Sequence, residues 1–168
     1  MQDARSLLVL LLLVGSLLGT RRYFTPSTTS YEVKVLAQVA AALAAGNKAM
    51  RDLDGPPIDN SNLDRLNVPT PGMDCGIARS LMFVVCRGAA LNREDAEAMF
   101  ARMMDYGEAA LSAESWRQLE RVPPPGLIRS ISYNHLKSGA QINLDIVRYP
   151  TGGAEPLYAV RFFGWPRF

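Results

Sequence analysis

The sequence predicts an α+β fold, and three observations carry the prediction. An almost unbroken apolar run, Leu7 to Leu18, opens the chain. Apolar residues then recur at helical spacing as far as Arg121, and the last third switches to alternation. Helices followed by strands, rather than the two interleaved, is an α+β order. The expected architecture is an N-terminal apolar anchor or signal helix, then three to four helices, then a three-stranded antiparallel C-terminal meander packed on them. This places a leader over 1–22, a polar spacer over 23–30 and one domain over 31–168, with a helical half (31–122) and a sheet half (127–168). Beyond the leader about 145 residues remain, enough for one buried core and too few for two.

Ser6 to Thr20 makes about 15 residues, or roughly 22 Å of helix, against a hydrocarbon core of about 30 Å. That is short for a span, but Arg21, Arg22, Tyr23 and Phe24 follow, and such amphipathic side chains suit a membrane–water boundary. As a cleaved secretory signal the run has the right length but a weak basic start, since Asp3 offsets Arg5. Its best small-residue cleavage stretch is Val14-Gly15-Ser16. A retained signal-anchor and a cleaved signal both stand, whereas a buried core helix would need a polar outer face that this run lacks. Arg21 and Arg22 favour a cytoplasmic body by the positive-inside rule, while an N-terminal run of this length favours export. We expect export: a body anchored through residues 6–24 and facing an extracytoplasmic compartment, or secreted after cleavage.

After a Pro26-containing spacer, Ser30 is placed to cap an Ala-rich helix over Tyr31 to Arg51, bent or ended at Gly46-Asn47. Asp54-Gly55-Pro56-Pro57 stops it, and the stretch to Gly72 reads as a long irregular connection. After Asp74, Ile77, Leu81, Val84 and Val85 fit a helical face, while Leu81 to Val85 would serve equally as a buried strand. Asn92 with Asp95 resembles a capping pair for a helix whose stripe, Ala96, Met99, Phe100 and Met103, ends at Gly107. Ser112 is expected to cap a short helix through Trp116 and Leu119 to Arg121, closed by Pro123-Pro124-Pro125-Gly126. Leu127 to His135, Ala140 to Tyr149 and Leu157 to Trp165 then read as strands separated by Gly-containing turns.

The composition restricts function. A net charge of +2 with no basic block argues against nucleic-acid binding. There is one histidine, His135, and two cysteines, Cys75 and Cys86. That set has neither the pairs nor the spacing of a zinc site, and no cofactor loop is present. If the intervening residues were helical, the cysteines would stand roughly 16 Å apart, beyond the ~7 Å limit for a bridge. A disulfide therefore requires 76–85 to fold back as a hairpin or loop, and export leans towards that bridge. His135 lacks a nucleophile context, Met99, Met103 and Met104 read as core, and the carboxylates Asp52, Asp54, Glu94, Asp95, Glu97, Glu114 and Glu120 read as helix-end and solvated groups.

The C-terminus holds the strongest binding signal. Residues 157–168 contain five aromatics and two arginines. If Tyr158, Val160 and Phe162 face the core, Arg161, Phe163 and Trp165 face out, continued by Arg167 and Phe168. Arginine and tryptophan are enriched among interface hot spots. In outline, an anchor, a long helix and an antiparallel sheet resemble pilin-like and pseudopilin subunits, without their Gly-Phe-Thr-Leu-x-Glu processing site. The order is also similar to cystatin-like periplasmic domains of secretion-system scaffolds. The expected function is non-enzymatic: protein–protein binding at the cell envelope, as an accessory or assembly subunit of a secretion, pilus or other envelope complex. The alternatives are a small secreted hydrolase or thiol enzyme using His135, and a secreted inhibitor or ligand-binding module.

Overall fold

A computed structural model describes residues 30–59, 61–67, 73–78, 83–151 and 155–166. Among them, eight strands form one antiparallel sheet, with three helices. The helices are α1 (Tyr31–Ala45), α2 (Asn47–Arg51) and α3 (Arg93–Ala110). The strands are β1 (Asp54–Pro57), β2 (Leu63–Leu66), β3 (Met73–Ala78), β4 (Val84–Gly88), β5 (Trp116–Glu120), β6 (Leu127–His135), β7 (Gln141–Tyr149) and β8 (Leu157–Trp165). Four strands run in order as β1-β2-β3-β4. The chain then passes through α3 to the far edge and returns as β5-β6-β7-β8, so that β8 pairs with β4.

This overturns the expected fold class. The molecule is mostly an eight-stranded antiparallel sheet, not a helical layer carrying a three-stranded meander; the three C-terminal runs are strands, but three of eight. β1 to β5 lie within the stretch expected to be helical. The outline resemblances rested on that order and fall with it.

Each correction has a local reason. Asp54-Gly55-Pro56-Pro57 forms an edge strand, where a missing proline N–H costs no ladder bond on the outer side. Met73–Ala78 and Val84–Gly88 are the antiparallel pair β3 and β4, with Cys75 opposite Cys86 at 4.0 Å between Cα atoms, and the two are joined as a disulfide. Ser112 starts only a turn: its carbonyl accepts from Ser115 N (2.9 Å) and Trp116 N (2.8 Å), after which the chain extends and pairs with β6. α3 runs past Gly107 to Ala110.

The helix starts follow capping chemistry. Ser30 Oγ accepts from Val33 N at 3.3 Å, and Asn92 Oδ1 from Asp95 N at 2.8 Å. α1 ends at Gly46 (φ +94°).

Alternation assigns the two sheet faces. Ile131, Tyr133, Ile142, Leu144, Ile146, Val160, Phe162, Val84 and Cys86 line up across paired strands and join the core cluster with Leu43 and Phe100. α1 and α3 pack against each other and against this face. Gly164 permits the approach, because a Cβ there would collide with the buried Leu43 side chain of α1. Gly107 does the same for α3, whose backbone sits directly on the Tyr133 phenol.

Among the described residues no helix is long and apolar enough to cross a membrane. The leader, with Arg21, Arg22, Tyr23 and Phe24, lies outside the described residues.

Candidate functional site

The opposite face of the sheet carries a different chemistry. Reading across the pairing, Ser130, Asp145, Arg161 and Arg87 form one row, and Ser132, Asn143, Phe163 and Val85 the next. The alternation places Arg161, Phe163 and Trp165 outward, and the structure puts all three, each half-buried, on this face, which is open in the sense that among the described residues α1 and α3 pack on the other side of the sheet. Arg167 and Phe168 lie outside the described residues.

Two polar ladders hold the face in place. Ser130 Oγ donates to Asp145 Oδ1 at 2.7 Å, and Arg161 Nη2 meets Asp145 Oδ2 at 3.4 Å. Ser132 Oγ donates to Asn143 Oδ1 at 2.7 Å. Asp145 is only 5% exposed, a burial that requires such partners for a carboxylate. The Arg161 guanidinium also stacks 4.8 Å above the Phe163 ring. Arg87 on β4 lies 4.7 Å over the Tyr149 ring on β7, bridging β8 between them. Arg161 Nε and Asn134 Oδ1 are buried without a hydrogen-bond partner among the described residues.

A cleft of about 460 Å³ opens beside this ladder, under the β5–β6 connection. Ser130, Asn143 and Asp145 line it on the sheet side, and Arg121, Val122 and Pro124 on the connection side. The cleft offers donors, acceptors and both charges beside apolar walls, which suits recognition of a peptide surface. Nothing in the sequence alone singles out Ser130, Ser132, Asn143 or Asp145. Their signal was the polar half of the β7 alternation, which looks the same in an ordinary solvated face.

The residues proposed for catalysis stand elsewhere. Cys75 and Cys86 are consumed by their disulfide. His135 Nδ1 accepts from Ser138 N at 3.1 Å and lies 2.8 Å from Ser138 Oγ, while its ring sits 5.0 Å from that of Trp116. It closes the β6–β7 hairpin. Met99, Met103 and Met104 pack against the core, and Met103 lines an apolar cavity of about 50 Å³ between α1, α3 and β8. Among the described residues no group of three His, Cys, Asp or Glu is placed to hold a metal ion.

Inside the core, burial pushes the Tyr133 hydroxyl up to about 12, with Glu108 and Asp105 adding to the shift. Burial also raises the Asp54 carboxyl, helped by Asp64 and opposed by Arg51.

No family model, curated protein or solved structure matches this chain.

Proposed function

We propose that this protein is a non-enzymatic binding module of the cell envelope, held there by its apolar leader or exported by it, and that it serves as an accessory subunit by docking a protein partner on the open sheet face. The observation that carries this reading is the face itself: Phe163 and Trp165 stand half-buried beside a cleft floored by a partnered, buried Asp145. Ordered aromatics beside satisfied polar groups give a partner both area and orientation at low entropic cost. The groups a hydrolase or thiol enzyme would need, His135 and the two cysteines, have structural duties instead.

The test places a photo-crosslinking residue at position 163 of the full-length protein in cells, followed by fractionation and N-terminal sequencing. A discrete adduct in the envelope fraction is expected, and Trp165→Ala should remove it while leaving the melting temperature near that of the parent. An adduct that survives Trp165→Ala, or forms equally from the exposed position 48 on α2, overturns the reading.

A further inference from the structure

We propose that the free edge of β5 is a docking strip for an extended segment of a protein partner, which adds to the sheet as a ninth strand and presents acidic and apolar side chains on the open-face side. This rests on the partner-binding reading above and gives it a place and a chemistry.

The two sheet edges are built differently. β1 carries Pro56 and Pro57, which have no N–H to offer, and its pairing with β2 is irregular between Asp54 and Pro57. Such features block strand addition. β5 has no proline, and its register with β6 runs without a break from Trp116 opposite His135 to Glu120 opposite Ile131.

The hydrogen-bond parity of β5 can be read from its ends. Ser115 O accepts from Leu136 N at 2.8 Å, and Arg121 N donates to Ser130 O at 3.3 Å. Bonding alternates along an antiparallel strand, so Arg117 and Leu119 also turn their main chain towards β6, while Gln118 and Glu120 turn theirs outward. The Trp116 N–H is taken by the Ser112 carbonyl. The N–H and C=O of Gln118 and Glu120, with the C=O of Trp116, thus face away from the sheet, and no described strand pairs with them. Added strands are recognised through such a row of groups.

Side chains supply the specificity. Arg117, Leu119 and Arg121 are exposed on the open-face side, and Val122 beyond them is 94% exposed. Among the described residues neither arginine has a carboxylate partner. Glu120 projects to the other side. A matching strand therefore sets an acidic residue beside each arginine and an apolar one beside Leu119, and keeps acids away from Glu120.

The probe is the end-blocked peptide TETVTET, added to the full-length protein in detergent micelles and read by amide hydrogen exchange. Exchange at Gln118 and Glu120 should slow with TETVTET and not with TKTVTKT. Arg117→Glu should weaken binding about tenfold, the effect of losing one well-placed charge contact. Gln118→Pro deletes only an outward N–H, so it should abolish protection at Glu120 without changing the melting curve. A TETVTET peptide N-methylated at alternate amides leaves the protein untouched and should also fail to bind. Equal protection by TKTVTKT, no protection by TETVTET, or undiminished binding of the methylated peptide overturns the inference. An envelope adduct at position 163 that persists in Gln118→Pro overturns the edge inference while leaving the open-face reading standing.

Discussion

The two faces of this sheet divide the work of the molecule. On the helix side, Leu43, Phe100, Ile142 and Val160 are essentially inaccessible and contribute chiefly by burial. On the open side, Asp145, Ser130 and Ser132 are buried polar groups, and their burial is compensated by hydrogen bonds within the pairs Ser130–Asp145 and Ser132–Asn143. An apolar face tolerates any side chain of suitable volume, whereas a buried polar ladder needs particular partners in particular places. The first face makes the fold durable. The second makes it specific, and it is the face on which we propose that a partner docks.

Four substitutions or treatments probe that division. Phe100→Ala should be the most damaging, costing about 3–5 kcal/mol in a denaturant titration, because it empties a fully enclosed site between α3 and the sheet. A loss below about 1 kcal/mol would mean that α3 is not clamped on the sheet. Reducing the Cys75–Cys86 bridge should cost about 2–3 kcal/mol, since it frees a short closed loop in the unfolded chain. Melting curves with and without reductant measure it, and coincident curves would refute it.

Asp145→Ala should cost about 1–3 kcal/mol by stranding Ser130 and Arg161. The cost should shrink in the Arg161→Met background, which a double-mutant cycle would show. Tyr133→Phe is the smallest effect: it removes a buried hydroxyl that has no hydrogen-bond partner among the described residues, so the melting temperature should hold or rise. The same residue sets a pH signature. Its folded pKa is raised to about 12, so its contribution is full below the unfolded value near 10 and is lost as pH rises towards 12. Tyr133→Phe should flatten the fall in stability across that window, and an unchanged slope would exclude Tyr133 as its source.

Sequence reading succeeded where a strand's own alternation was complete. Ile142, Leu144 and Ile146 against Asn143 and Asp145 show both the strand and its two faces, and the outward placement of Arg161, Phe163 and Trp165 follows from the same rule. It failed at Trp116-Arg117-Gln118-Leu119-Glu120, a run of good helix formers that nonetheless pairs with β6. Propensity amounts to tenths of a kcal/mol per residue, and a ladder of main-chain bonds with Trp116 buried against His135 outweighs it. It failed also at Asp54 to Leu66, where proline and glycine punctuation concealed two short strands at the sheet margin. The cysteines were half legible: their spacing showed that a bridge demanded a hairpin, but not that the hairpin existed.

The residues alone therefore settled what depends on near neighbours: the capped starts at Ser30 and Asn92 and the alternation of the last three strands. Long-range pairing settled the rest. β4 lies beside β8 and β5 beside β6, and only that assembly brings Asp145, Ser130 and Arg161 together and leaves β5 at the edge of the sheet among the described residues. A strand's identity resides half in its partner, and a partner many residues away leaves no mark on the local pattern.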